Sequence, residues 1–154
     1  MTNYENLSKR TTIGDAAVDG LLAGLVAGAG MIVYLTGVGL ALYTTWSTLL
    51  TRFVPEGAAL PLTGILTLLA MAGVYGALFG VLTWLTPRPW RRRLNGWPMG
   101  LLYVAFLLLL AETIFLPRLA LPVQQVPFLH LLLGHAIYGF ILGRLINLTG
   151  AFNH

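Results

Sequence analysis

The run PFLHLLLGHAIYGFILGRLI, from Pro127 to Ile146, decides the fold because it is long and apolar enough to cross a lipid bilayer. About 20 consecutive apolar residues span the hydrocarbon core as an α-helix. The run contains His130 and His135, two of the three histidines in the chain, and Gly139 and Gly143 at a spacing of four residues. That spacing places both glycines on one helix face. We therefore predict a transmembrane helix whose small-residue face packs against neighbouring helices.

The composition of the whole chain also indicates a membrane protein. Of its 154 residues, 57% are hydrophobic and 9% are charged, and the mean hydropathy is +0.81. Soluble domains carry roughly a quarter of their residues as charged side chains. The chain has no cysteine, which excludes disulfides and cysteine metal sites. Residues 1–13 lack the apolar core and cleavage site of a signal peptide, so we expect the first hydrophobic helix to be retained.

Three further apolar runs precede the last one, and together they predict an all-α polytopic membrane protein with four transmembrane helices. The predicted spans cover about residues 18–46, 60–86, 98–117 and 127–148 of a transmembrane domain at 16–149. A polar N-terminal tail occupies 1–15 and a short C-terminal tail occupies 150–154. The first run exceeds the bilayer thickness, so we expect its helix to tilt, kink or project beyond the membrane. The leucine-rich third span, including Leu108, is expected to face lipid or a partner.

The distribution of basic residues predicts the orientation in the membrane. Four spans place both termini and the loop between the second and third spans on one side. That side carries seven basic residues against two on the other, so the positive-inside rule predicts cytoplasmic termini in a bacterial inner membrane. The net charge of +4 comes mainly from this loop and indicates topology rather than a nucleic-acid partner. The loop is also a candidate surface for anionic lipids or another subunit, through Arg88, Arg91, Arg92 and Arg93.

Small residues recur every four positions in three of the spans and allow two helix backbones to approach closely. The sequence Y-G-x-x-x-G-x-L occurs at 75–82 and again at 138–145, and G-x-x-x-G-L occurs at 20–25 and 96–101. These matches predict two repeated hairpins related by a pseudo-twofold axis along the membrane normal. The predicted packing glycines are Gly20, Gly24, Gly28, Gly76, Gly80, Gly139 and Gly143.

The opening G-L-x-A-G-x-x-A at 20–27 and the closing H-x-x-Y-G-x-x-x-G at 135–143 resemble small bacterial four-helix membrane families of unknown function. The resemblance extends loosely over residues 16–148. It implies the four-helix fold and no particular activity. Those families typically have a histidine in the second helix as well, where this chain has Ala72.

Three ionisable residues of the spans are candidate functional groups, because such residues within a membrane often serve a function. Glu112 lies near one end of the third span, where it either takes part in chemistry or hydrogen-bonds to His130, His135 or Arg118 and fixes helix register. His130 and His135 are five residues apart and point about 140° away from each other, so they cannot chelate one metal. His135 shares a face with Gly139, where it is either a packed histidine or an axial ligand to a pigment or haem.

The chain contains no phosphate-binding loop, nucleophile-and-base set or metal-ligand cluster, so we do not expect an enzyme. The favoured hypothesis is a non-catalytic structural or accessory subunit of a larger membrane complex, respiratory or photosynthetic, in contact with lipids and other membrane subunits. One alternative is a small transporter or a proton- or quinone-handling protein that uses Glu112 with His130 or His135. The other is a pigment- or haem-binding protein that uses His135. No cofactor is required by the first hypothesis.

Overall fold

Four α-helices make up the described part of the chain in the structure, a computed structural model. It describes residues 12–41, 61–87, 89–90, 96–110, 113 and 128–148. The helices are α1 (Ile13–Ala41), α2 (Pro61–Leu85), α3 (Trp97–Leu110) and α4 (Phe128–Leu148), and the described residues contain no strand. The predicted all-helical, four-helix membrane fold is therefore confirmed. The predicted C-terminal tail at 150–154, residues 1–11 of the predicted N-terminal tail, and the predicted ends of the first and third spans at residues 46 and 117 lie outside the described residues.

Helix α1 begins at Ile13 rather than near residue 18, because a capping box starts it. The backbone amide and the hydroxyl of Thr12 both donate to Asp15 Oδ2 at 2.9 Å, and the amide of Asp15 donates to Thr12 Oγ1 at 3.2 Å. This reciprocal pair satisfies backbone donors of the first turn that have no partner within the helix. The predicted bounds of the second and fourth spans differ from α2 and α4 by one residue at most.

The helices run up and down, with each hairpin formed by consecutive helices. Helix α1 packs against α2, and α3 packs against α4. The two hairpins meet mainly where α1 packs against α4. A contact between α2 and α3 closes the ring, because the Phe79 and Tyr103 side chains lie 4.9 Å apart between ring centroids. The order around the bundle is therefore α2, α1, α4, α3.

Three of the described helices, α1, α2 and α4, are long and apolar enough to cross a membrane, whereas the described part of α3 is shorter. At 1.5 Å per residue, the 29 residues of α1 extend about 43 Å, which exceeds a hydrocarbon core of about 30 Å. Large apolar side chains are exposed on all four helices. In water such a surface would be unfavourable, but lipid solvates it, so the exterior fits a membrane environment.

Buried positions concentrate in one half of the bundle. We call the half that holds the beginning of α1 the proximal half, and the half that holds its end the distal half. On α2, the buried residues Ala72, Gly76, Phe79 and Thr83 lie in the proximal half, whereas Gly64 is buried in the distal half. The core there also includes Ala27, Val104, Tyr138, Leu142 and Ile146. A smaller distal cluster joins Leu35 of α1 to Leu131 of α4.

The expectation that Leu108 faces lipid or a partner is wrong, because its side chain is only 8% exposed. The face of α3 that points outward carries Leu102, Phe106 and Leu109, each about 60% exposed. A helix has 3.6 residues per turn, so Leu108 falls on the same inward face as Val104. A uniformly apolar helix gives no amphipathic signal from which the inward face could be read.

Candidate functional site

At the interface between α1 and α2, the two helix backbones are in direct contact at glycine residues. A Cβ atom added at Gly20 would collide with the carbonyl oxygen of Gly76, and one at Gly24 would lie 2.8 Å from the Cα of Gly76. A Cβ added at Gly80 would collide with the carbonyl oxygen of Ala16. Any side chain at these glycines would therefore force the helices apart. A Cβ at Gly28, the last glycine of this stripe, would meet the Ala72 methyl group at 2.5 Å.

The interface between α3 and α4 has the same construction. A Cβ added at Gly100 would collide with the carbonyl oxygen of Gly139, and one at Gly143 would lie 2.6 Å from the carbonyl oxygen of Gly96. Gly96 itself has a φ of +82°, in the left-handed region that glycine adopts without strain. The chain thus turns into α3 where its backbone lies against Gly143 of α4.

The two interfaces can be superposed residue by residue, but the equivalent residues of α1 and α3 differ by one helical turn from those that the sequence repeat pairs. The repeat pairs Gly20 with Gly96, but the contacts of Gly20 with α2 match those of Gly100 with α4. Ala16, four residues before Gly20, then matches Gly96. The small residues of α1 continue from Ala16 to Gly28 at four-residue spacing, so the sequence alone fits several registers equally well.

Two tyrosines of the second hairpin bind the backbone of α2. The Tyr138 hydroxyl donates to the Ala72 carbonyl oxygen at 2.7 Å, and the Tyr103 hydroxyl donates to the Tyr75 carbonyl oxygen at 2.8 Å. Tyr138 is buried and Tyr103 is half-buried. Both hydroxyls therefore have hydrogen-bond partners, as polar groups inside a membrane require. Neither tyrosine was identified as a functional residue from the sequence, although Tyr138 belongs to the repeat.

His135 is half-buried, and its Nδ1 hydrogen-bonds to the carbonyl oxygen of Leu131, one turn earlier in α4, at 2.8 Å. A carbonyl only accepts hydrogen bonds, so Nδ1 carries a proton, and in the neutral ring the lone pair is on Nε2. In proteins whose histidines bind metal ions, a hydrogen bond of this kind orients the ring. The arrangement is also that of an ordinary histidine tied to its own helix.

His130 joins α4 to α1 in the distal half. Its Nδ1 lies 3.3 Å from the hydroxyl oxygen of Tyr34, and both side chains are half-buried. Just beyond this pair, towards the proximal half, the buried Leu35 and Leu131 pack together with Met31. The sequence gave no sign of this partner of His130, because Tyr34 lies 96 residues away along the chain.

Several predicted site residues lie outside the described residues. They are Glu112, Arg88, Arg91, Arg92 and Arg93, together with Arg118 as a candidate partner of Glu112. The proposed contact of Glu112 with His130 or His135 therefore stays a prediction. Among the described residues, no group of three His, Cys, Asp or Glu side chains is arranged to hold a metal ion. Comparisons of the chain with protein-family models, with curated proteins and with solved structures give no match.

Proposed function

We propose that this membrane protein is a non-catalytic accessory subunit of a larger complex in a bacterial inner membrane, with both termini in the cytoplasm. The complex would be a bioenergetic one, respiratory or photosynthetic. The subunit would contribute four tightly joined helices, held by its glycine interfaces, and an apolar surface for lipids and neighbouring subunits. The cytoplasmic position of the termini rests on the excess of basic residues on that side.

The observation that supports this proposal is the packing of the interior formed by the described residues. Backbones meet directly at the glycines, and every buried side-chain nitrogen or oxygen atom of the described residues has a hydrogen-bond partner. A transport pathway needs polar groups that exchange partners with a substrate or with water. Fixed hydrogen bonds to backbone carbonyls instead favour a rigid scaffold.

The outward face of α3 is the best candidate surface for a neighbouring subunit. Leu102, Phe106 and Leu109 form a continuous bulky stripe on this face. Helix association in membranes depends on van der Waals packing, to which large side chains contribute many contacts. The α1 face that carries Val18 and Val26 is equally exposed and offers smaller side chains as a control.

The test is purification of the tagged protein from its native membranes in a mild detergent, followed by mass spectrometry of the proteins that accompany it. We expect one or more membrane subunits in fixed stoichiometry. The double substitution Phe106→Ala with Leu109→Ala should release them, whereas Val18→Ala with Val26→Ala should not. Recovery of the chain alone in several mild detergents would contradict the proposal.

The same preparation tests the two alternative functions. The pigment- or haem-binding alternative rests on His135, which is half-buried in α4. An absorbance band of the purified chain that disappears in His135→Ala would establish that alternative. A Glu112→Gln variant that keeps the complex intact but abolishes its turnover would establish the proton-handling alternative. The accessory-subunit proposal expects neither result.

A further inference from the structure

Four side chains form one outer surface in the proximal half, where the beginning of α3 lies against the last turns of α4. They are Trp97 of α3 and Phe140, Arg144 and Asn147 of α4, and we call them the proximal patch. The Trp97 and Phe140 rings lie 6.3 Å apart between centroids. Phe140, Arg144 and Asn147 share one face of α4, because they are separated by four and three residues. The patch therefore combines two aromatic rings with one cation and one amide.

The polar and apolar members of the patch lie at different depths. A Cβ added at Gly143 would lie 3.0 Å from the Cα of Trp97, so Trp97 is level with the next residue, Arg144. Phe140 precedes Arg144 by four residues and lies about 6 Å further from the end of α4. Leu133, two turns before Phe140 on nearly the same face, is 42% exposed. The surface is thus polar at the end of α4 and apolar towards the middle of the helix.

Three members of the patch carry hydrogen-bond donors, namely the Arg144 guanidinium, the Trp97 indole N–H and the Asn147 amide. None of these side-chain groups has a hydrogen-bond or ion-pair partner among the described residues. Arg144 and Trp97 are exposed and Asn147 is half-buried. The Asn147 amide lies beside the turn into α3, with 3.6 Å between its Nδ2 and a Cβ added at Gly96. The patch therefore offers donors to an acceptor outside the bundle.

The charge of the proximal end favours an anionic ligand. Among the described residues, the acids are Asp15 and Asp19 of α1, and neither forms an ion pair with Arg144. Four stretches that are joined to this end of the bundle lie outside the described residues, namely 1–11, 88, 91–95 and 149–154. Together they contain six basic residues and one acid. The preference for an anion therefore does not depend on how those stretches are arranged.

We propose that the proximal patch binds the headgroup of an anionic phospholipid. The planar guanidinium of Arg144 would donate two parallel hydrogen bonds to the phosphate oxygens. The Trp97 indole and the Asn147 amide would donate to the remaining phosphate or glycerol oxygens. An acyl chain would follow Phe140 and Leu133 towards the middle of the bilayer. The order of cation, ring and leucine along α4 matches the order of headgroup and hydrocarbon, which favours a lipid over the carboxylate of a neighbouring subunit.

The experiment is native mass spectrometry of the purified full chain, titrated in mild detergent with dioleoyl phosphatidylglycerol and, separately, with dioleoyl phosphatidylcholine. The two lipids have the same acyl chains, but only the first has a net negative charge. We expect one saturable phosphatidylglycerol per chain and weaker binding of phosphatidylcholine. Arg144→Gln should weaken phosphatidylglycerol binding about fivefold, the equivalent of about 1 kcal/mol for one basic residue. Trp97→Phe keeps an aromatic ring and should weaken it about twofold or more.

Two matched controls separate loss of the site from loss of charge or of the fold. Arg118→Gln removes the same charge from a residue that the sequence predicts on the opposite side of the membrane, and it should leave binding unchanged. Arg144→Lys keeps the charge at the patch and should retain more affinity than Arg144→Gln. Circular dichroism of each variant checks that its helix content is unaltered.

Equal affinity of the unaltered chain for the two lipids would overturn the proposal, as would equal weakening by Arg144→Gln and Arg118→Gln. Binding that survives Arg144→Gln but is lost in Arg91→Gln with Arg92→Gln would assign the lipid to the basic loop instead. Unchanged lipid binding in Arg144→Gln, together with loss of a neighbouring subunit from native membranes, would assign the patch to a protein partner. The titration uses the isolated chain, so its outcome is independent of whether the chain is an accessory subunit.

Discussion

At the scale of single residues, the hydroxyl of Tyr138 is the clearest specific link between the two hairpins. It reaches from α4 across the core to a backbone carbonyl of α2, and its side chain is 4% exposed. An α-helix already uses its own carbonyl oxygens, so a second donor at Ala72 favours one rotation and depth of α4 relative to α2. Apolar packing alone would allow several rotations and depths of α4.

We predict that Tyr138→Phe destabilises the protein by about 0.5–1.5 kcal/mol, because it removes one buried hydrogen bond and keeps the ring. The measurement is unfolding by increasing SDS fraction in mixed micelles, followed by circular dichroism. Leu129→Val, which trims an exposed side chain on the same helix, is the control and should change stability less. Equal effects of the two substitutions would argue against a specific role for the hydroxyl.

At the scale of the helices, close approach at glycine decides which helices pair. Gly24 and Gly37 lie on the same helix, yet only Gly24 touches another backbone. The same substitution at the two positions should therefore have opposite effects. This difference cannot be read from the spacing, since both are glycines within one apolar run.

We predict that Gly24→Ala destabilises the bundle by about 1–3 kcal/mol, because the added methyl group collides with the carbonyl oxygen of Ala72. Gly37→Ala should be neutral or stabilising by up to about 1 kcal/mol, because alanine has the higher helix propensity. The unfolding assay in mixed micelles compares the two directly. Destabilisation by Gly37→Ala as large as that by Gly24→Ala would contradict the assigned contacts.

The start of α1 gives a second prediction at this scale. Thr12→Ala removes the hydroxyl of the capping box and should cost about 1 kcal/mol locally. Because the cap is exposed, the loss should appear as faster amide hydrogen exchange in the first turn of α1. The rest of the bundle should exchange as before. Thr86→Ala, which removes an exposed hydroxyl bonded within α2, should leave the exchange of α1 unchanged.

At the scale of the whole molecule, the arrangement of the hairpins depends on the contact between α1 and α4. Met31 of α1 lies against Gly134 of α4, with 3.4 Å between Met31 Cγ and a Cβ added at Gly134. The chain has no cysteine, so an introduced pair would be the only one present. This makes the helix order around the bundle directly testable.

We predict that Met31→Cys with Gly134→Cys forms an intramolecular disulfide or a short bis-maleimide crosslink in native membranes. Mass spectrometry of the joined peptides is the measurement. Leu22→Cys with Gly134→Cys is the control, because Leu22 faces outward in the proximal half, and it should not crosslink. If the control pair joined as efficiently as the first, α1 and α4 would not have the packing described here.

Much of the fold was predictable from the sequence, because the bilayer restricts a spanning chain to few structures. Long apolar runs must form helices that satisfy their own backbone, so four apolar helices follow from composition. The start of α1 was predicted too late, because the continuous apolar run begins only at Gly20. The helix in fact begins at Ile13, directly after the capping residue Thr12. The side chain of Leu108 was placed on the wrong face because α3 is apolar all round.

The candidate site was predictable only in part. The histidines were found because ionisable groups are rare in apolar runs. Tyr34 was not identified, since tyrosines are common near membrane interfaces and its partner is remote in sequence. The exposure of Gly37 also leaves no trace in the sequence, where this glycine resembles those that pack tightly.

The sequence by itself determined a four-helix membrane protein with small-residue stripes on its helices, because hydropathy and helical spacing depend only on the order of residues. The tertiary structure alone decided that α1 and α4 join the hairpins, that the second glycine interface is shifted by one turn, and that His130 meets Tyr34. These features depend on the rotation and depth of one helix relative to another. The rotation and the depth are set by contacts between groups that are distant in the chain. The spacing of residues within one helix contains no information about those contacts.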